Sequence, residues 1–243
     1  MIDVIVTGAA GRMGREVVRA VTAAEGMRVA AAVDPRSAGT QLDDGAGGAV
    51  TVVGDLHAAL ATDGASPRVM VDFTMPAVVE DNVRTALAAG VHCVVGTTGI
   101  GAEGWAGIAD DAPEGVCLFV APNFAIGAVL MMQFAEAAAR YLPHVEIIEL
   151  HHDGKLDAPS GTAITLKEIV EAAQPGAKVE ISSYRVGDAK GEHVVTATGE
   201  YDTLELKHDA HSRRGFALGA VRGAEWLANK QGALDFREIF NQL

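Results

Sequence analysis

The sequence predicts an α/β protein in two parts, a doubly wound parallel sheet followed by a smaller α+β domain whose sheet is mixed or antiparallel. Three observations carry that prediction. Through residues 2–121, short branched apolar runs alternate with segments of helical period, the pattern of parallel strands joined by crossover helices. The first of these runs opens into Gly8-Ala9-Ala10-Gly11-Arg12-Met13-Gly14, directly before a helix-like segment, which makes the sheet Rossmann-like. From about residue 179 onward, extended segments succeed one another with no helix between them, so that second sheet is at least partly antiparallel.

Residues 2–7 form the first buried strand, and Val17, Val18 and Val21 mark the apolar face of the helix after it. Between them stand Gly8, Gly11 and Gly14. One allows a tight turn, one lets backbone amides approach a pyrophosphate, and the last permits close packing of helix on strand. The second strand, 27–33, delivers Asp34 about 20 residues beyond the glycines, where an acid accepts hydrogen bonds from the adenosine ribose. Arg36 can instead face a 2′-phosphate, so NADH and NADPH both stay open as cofactors. Residues 50–53 read as a strand, 56–61 as a short helix and 69–74 as a strand with a polar tip. Pro76 suits the first turn of the next helix, which stops at Gly90. Segments 91–95, 102–109 and 116–121 complete the alternation as strand, helix and strand. Ligands bind at the carboxyl ends of strands in such sheets. The tips Asp72-Phe73-Thr74 and Gly96-Thr97-Thr98-Gly99 are therefore assigned to the nicotinamide half of the cofactor, with ordinary turn chemistry as the alternative.

Ala121-Pro122-Asn123-Phe124 breaks the alternation and suits a hinge. Residues 126–141 are apolar without strand alternation, a buried helix in which Met131 and Met132 fill core space. Extended runs follow at 179–186, 193–199 and 202–208. Ser212-Arg213-Arg214-Gly215 reads as a turn with two surface cations, and 216–228 as a final helix returning to the first sheet. The predicted domains are 1–122, completed by the C-terminal segment 213–243, and 123–212.

The chemistry concentrates in Glu149-Leu150-His151-His152-Asp153-Gly154-Lys155-Leu156-Asp157-Ala158-Pro159-Ser160-Gly161-Thr162-Ala163. Apolar, branched residues precede it and a helical pattern follows, so the polar run occupies a strand-to-helix loop, where functional groups tend to be mounted. Ser160, Gly161 and Thr162 would open the helix, with amides free to hold a carboxylate or phosphate. Lys155 adds positive charge, and a histidine is the natural proton donor near neutral pH. The run reads as an acid beside a carboxylate cradle. A solvated loop ending in a Ser cap is the bland alternative. Metal binding by His151, His152 and Asp153 is disfavoured, because adjacent residues of an extended segment point to opposite sides.

At 243 residues, the chain is long enough for one large or two modest domains, each with a proper core. A net charge of −13 argues against a nucleic-acid partner but not against a small anionic substrate in a local positive pocket. Cys93 and Cys117 fall in apolar strand-like runs and read as buried thiols, without a disulfide framework. There is no basic leader at the N-terminus and no apolar run long enough for a membrane. The expectation is a cytoplasmic protein that binds neither metal nor membrane.

The glycine run, Asp72-Phe73-Thr74, Gly96-Thr97-Thr98-Gly99, Ala121-Pro122-Asn123-Phe124 and, above all, His151-His152-x-x-Lys155-x-Asp157-Ala158-Pro159-Ser160-Gly161-Thr162 together resemble one family. It is the 4-hydroxy-tetrahydrodipicolinate (dihydrodipicolinate) reductases of diaminopimelate and lysine biosynthesis, and the match runs over nearly the whole chain. The resemblance implies NAD(P)H-dependent reduction of a cyclic, unsaturated dicarboxylate to tetrahydrodipicolinate. It implies His151 as proton donor, Lys155 as the cation that binds or polarises substrate, His152 in contact with substrate, and Ser160, Gly161 and Thr162 on a carboxylate. The cofactor set it implies comprises Gly8, Ala10, Gly11, Arg12, Met13, Gly14, Asp34, Arg36, Phe73, Thr74, Gly96, Thr97, Thr98, Ala121, Pro122, Asn123 and Phe124. It further implies a homotetramer built through the second domain's sheet.

Overall fold

The structure, a computed structural model, describes residues 1–61 and 68–228. The chain divides into two compact units, Met1–Phe124 with the segment from Phe216 onward, and Ala125–Gly215.

In the first unit, β1 (Ile2–Thr7), β2 (Met27–Val33), β3 (Gln41–Asp43), β4 (Ala49–Val53), β5 (Arg68–Asp72), β6 (His92–Val95) and β7 (Leu118–Val120) form one sheet. Its order is β3-β4-β2-β1-β5-β6-β7. The pairs are parallel except β3 with β4, so the predicted all-parallel sheet gains an antiparallel edge. That three-residue strand has too little apolar pattern to be read from sequence. The chain winds outward from β1 through β2 to β4, then crosses back to β5 beside β1. The reversal leaves a crevice at the carboxyl ends of β1 and β5, where doubly wound sheets bind ligands.

Side chains alternate across the sheet. Val4, Val6, Val69, Val71 and Val94 join α1 (Arg12–Ala23) and α7 (Arg214–Leu227) in one core. Ile5, Met70, Cys93 and Val95 face the other way, onto α2 (Leu56–Leu60), α3 (Pro76–Ala88) and α4 (Ala102–Asp110). Each such buried aliphatic side chain contributes about 1.5–3 kcal/mol. Both cysteines are buried free thiols. Helix α7 carries Ala217, Ala220, Val221, Ala224 and Leu227 into the first core. It begins at Arg214, so Arg214 belongs to the helix and not to the preceding turn. The remainder of the predicted 213–243 segment, from 229, lies outside the described residues.

In the second unit, α5 (Ile126–Ala139) and α6 (Gly161–Ala173) pack on a sheet of β8 (His144–His151), β9 (Lys178–Arg185), β10 (Glu192–Thr198) and β11 (Thr203–Asp209). The order is β11-β10-β8-β9. β8 pairs with β9 in parallel and with β10 antiparallel, a mixed sheet as predicted. β8 is central, and its alternate residues Val145, Ile147 and Glu149 are buried. Among the described residues, no helix is long and apolar enough to cross a membrane.

Candidate functional site

In the first unit the predicted cofactor residues gather at the carboxyl ends of the strands. Gly8 has φ +70°, and a Cβ there would stand 2.6 Å from the Phe73 carbonyl oxygen. A Cβ at Gly14 would stand 2.1 Å from the Gly8 oxygen, so the third glycine serves helix-on-strand packing. Gly11 caps α1 without a side chain, and the first turn of α1 carries no acid. Ala10, exposed Arg12 and Met13 complete this helix entrance. Such an end presents free amides and the positive end of a dipole, which fits the pyrophosphate of a nicotinamide dinucleotide. Asp34 directly follows β2 and caps the next turn, its Oδ1 accepting from the Arg36 amide at 3.1 Å. Arg36 itself is exposed on a short 3-10 turn, Pro35–Ser37.

At the tips of β5 and β6, Asp72, assigned with Phe73 and Thr74 to the nicotinamide half, proves to be the residue that organises both loops. Asp72 is fully buried. Its carboxylate accepts from Thr7 Oγ1 at 2.7 Å, Thr74 N at 3.0 Å, Thr74 Oγ1 at 2.7 Å, Asn82 Nδ2 at 3.0 Å and Thr97 Oγ1 at 2.8 Å. Strand β5 stops at Asp72, two residues earlier than expected, because this network takes over from the ladder. The hydroxyls of Thr74 and Thr97 are thereby committed to Asp72, which leaves their backbone groups and Thr98 at the strand ends. A Cβ at Gly96 would meet the Phe73 ring at 2.1 Å. Phe124 packs edge-on against Phe73 and Phe119, with centroids at 5.8 and 5.7 Å. Ala121, Asn123 and Phe124 are buried, with Pro122 half-buried between them, so this segment is packed against the sheet rather than open to solvent.

In the second unit, His151 is the last residue of β8, not part of the following loop. Strand pairing extends that far because the His151 oxygen accepts from Val186 N at 2.8 Å. Its Nδ1 is in hydrogen-bond contact with Glu149, whose side chain is fully buried. Glu149 Oε1 also accepts from Ser160 N at 3.3 Å and from both terminal nitrogens of Arg185 at 3.1 Å. Arg185 extends further, to the Asp157 carbonyl and, at 3.3 Å, to that of Lys155. One carboxylate thus ties together the imidazole, the start of α6 and the intervening loop. Ser160 caps α6, its Oγ accepting from Ala163 N at 3.2 Å. Gly161 and buried Thr162 form the first turn. Lys155 is ion-paired with Asp157 at 2.7 Å, and half-buried His152 lies beside Gly154.

Sequence reasoning missed Glu149, Arg185 and His193. His193 is 1% exposed, its Nε2 lies 3.1 Å from Ser160 Oγ, and its ring meets His151 edge-on at 5.3 Å. Burial pushes its pKa down to about 3, so it is neutral beside the site. For His151, burial lowers the pKa, Glu149 opposes that, and the Lys155 and Arg185 charges add to the lowering. Glu149 is raised by burial but lowered more by hydrogen bonds from Ser183, His151 and Arg185. It stays ionised. A Cβ at Gly191 would lie 3.2 Å from His151 Nε2, so the glycine, at φ 141°, keeps that nitrogen uncrowded.

These features define a class first. The fold is shared with a myo-inositol dehydrogenase from Corynebacterium glutamicum, which superposes with a TM-score of 0.67 at 14% identity, over 96% of this chain and 90% of that one. At that identity the likeness is one of fold. The family is set by closer matches. The models for the N-terminus and C-terminus of dihydrodipicolinate reductase match residues 2–124 and 127–240. The 4-hydroxy-tetrahydrodipicolinate reductase of Desulfitobacterium hafniense is 42% identical over 94% of this chain and 95% of its own length. That of Moorella thermoacetica is 38% identical over 96% and 95%. A dipicolinate-bound dihydrodipicolinate reductase from Paenisporosarcina sp. TG-14 superposes with a TM-score of 0.77 at 31% identity, over 97% of both chains. The chain belongs to the dihydrodipicolinate reductase family.

Proposed function

We propose that this chain reduces 4-hydroxy-tetrahydrodipicolinate to tetrahydrodipicolinate with NADH or NADPH, in diaminopimelate and lysine biosynthesis. Beyond family membership, the observation that carries the reading is His151 held through Glu149 beside the Ser160-capped start of α6. The nicotinamide, when bound, supplies a hydride from C4. Gly8, Gly11 and the first turn of α1 receive the pyrophosphate, Asp34 the ribose, and the tips at residues 73–74 and 96–98 with 121–124 the nicotinamide half. Asp34 favours NADH and Arg36 gives a 2′-phosphate a partner, which is why both cofactors are retained.

The amides of Gly161 and Thr162 hold one substrate carboxylate, and Lys155 exchanges Asp157 for substrate. His152 contacts the ring. His151 delivers a proton from Nε2 to the carbon–nitrogen system that accepts the hydride, and water leaves the hydroxylated ring. Without ligand, His151 is lowered toward the neutral form. A dianionic substrate reverses this, since adjacent negative charge favours the imidazolium. The proton is therefore loaded when substrate arrives.

The sheet of the second unit also supports the homotetramer reading. Ile148 pairs with Val194, and Leu150 with Tyr184, on the face opposite Val145, Ile147 and Glu149. This apolar strip, bordered by Glu146, Glu180 and Lys207, suits a second copy of the same sheet.

Calorimetric titration tests the binding half of this reading. NADH or NADPH should bind, and pyridine-2,6-dicarboxylate, a substrate-shaped ligand that is not reduced, should bind to the nucleotide complex. Absence of dicarboxylate binding in the nucleotide complex would count against it.

A further inference from the structure

Glu149 and Arg185 touch neither substrate nor cofactor in the reading above, yet they make the contacts that assemble the site. The carboxylate is fully buried on the central strand, and a buried charge is retained only when paired and hydrogen-bonded. Its partners belong to three separate parts of the unit: His151 two residues along the same strand, Arg185 at the end of β9, and the Ser160 amide at the cap of α6. Arg185 and His151 are register partners across β8 and β9. The guanidinium covers both carboxylate oxygens, at 3.1 Å each.

Resting on the reductase reading, we infer that Glu149 and Arg185 act together as the positioning pair for His151, Glu149 fixing the tautomer and tilt of the ring and Arg185 neutralising Glu149 so that the proton is released rather than held. Glu149 accepts only, because it is ionised, so Nδ1 must be the donor. The second nitrogen, Nε2, is then the one that gains and loses the working proton. It faces the space that Gly191 leaves uncrowded. Glu149 alone would favour the imidazolium strongly, since an unshielded carboxylate in hydrogen-bond contact stabilises positive charge on the ring. Arg185 offsets that pull. It shares the same carboxylate and repels charge on the ring. The proton leaves Nε2 for the substrate, the Nδ1 proton stays on the ring, and Glu149 remains a carboxylate throughout.

The charged and titratable groups facing His151 are Glu149 on its own strand, Arg185 on β9, His193 on β10, and Lys155 and Asp157 in the following loop. The directions of shift at His151, down from burial, up from Glu149, down from Lys155 and Arg185, agree with this division of labour.

The test is the pH dependence of kcat/KM, which falls as pH rises through the free-enzyme pKa of the acid. Glu149→Gln removes the stabilising charge, so the fall should move to lower pH, with kcat down about 10–100-fold at neutral pH. Arg185→Gln removes the opposing charge, so the fall should move to higher pH. Each displacement is expected to be about 0.5–1 pH unit, with nucleotide affinity unchanged. Glu149→Asp should restore the parent profile in part. General damage to the unit would not displace the two profiles in opposite directions. Profiles that superimpose on the parent's, or move the same way, overturn the inference. Nitrogen-15 spectra of the unmodified protein provide a measurement that needs no variant. Neutral His151 should be the Nδ1–H tautomer, and the Nε2–H tautomer would overturn the proposal. A parent protein inactive with substrate would sink the functional reading, while the tautomer would still decide the positioning role.

Discussion

His151 occupies the end of a strand whose buried positions are Val145, Ile147 and the carboxylate Glu149, and its environment decides what it can do. Burial removes water from the ring and Glu149 supplies an acceptor in its place. A general acid contributes about 10²–10⁴-fold to rate. His151→Gln should therefore lower kcat by that order while leaving NADH and NADPH dissociation constants within about twofold. Near-parental turnover in that variant would remove histidine from the acid role.

His193 makes a different prediction. Its folded pKa of about 3 lies below the ordinary 6.5, so the unfolded chain binds a proton that the native chain refuses. The stability it contributes is complete above pH 6.5 and is lost as pH falls toward 3. The urea midpoint should drop between pH 7 and 5, and His193→Phe should make that drop shallower. An equally steep drop in the variant would show that other groups set the acid sensitivity.

At the scale of elements, the loops that would meet the cofactor owe their shape to Asp72. Thr7 and Asp72 are register partners on β1 and β5, and the carboxylate joins them to α3 through Asn82 and to the end of β6 through Thr97. Asp72→Ala leaves several buried donors unsatisfied, each costing about 1–3 kcal/mol. Denaturant unfolding should show a loss of at least about 3 kcal/mol, with weakened nucleotide binding; a loss under about 1 kcal/mol would mean that water replaces the carboxylate. Gly14→Ala should also destabilise the first unit, because its new methyl would overlap the Gly8 carbonyl.

What the sequence made legible follows from range. Gly8 to Gly14 and Ser160 to Thr162 act through their own backbone, so spacing along the chain carries their meaning. Asp72 and Glu149 act on residues 65 and 36 positions away, which no local pattern records. Each nonetheless left a trace, an acid within or closing a branched apolar run. If that run is a buried strand, its charge must find partners. The last residue of β8 escapes a sequence reading because its partner, Arg185, is distant in the chain, whereas β3 pairs with nearby β4 but is too short to show an apolar pattern.

At the scale of the whole molecule, two units divide the work proposed here, the first receiving the dinucleotide and the second holding the dicarboxylate and the acid. Charge agrees with this division: despite a net −13, the second unit brings Lys155, Arg185 and His151 to the start of α6, where an anion also gains from free amides. The central claim is tested most directly by following NADH and NADPH oxidation by the purified protein, with substrate generated from pyruvate and aspartate semialdehyde by the preceding synthase. The account predicts synthase-dependent loss of nicotinamide absorbance with at least one cofactor, and the two rates measure the balance between Asp34 and Arg36. No oxidation with either cofactor, in folded protein that binds nucleotide, would contradict it.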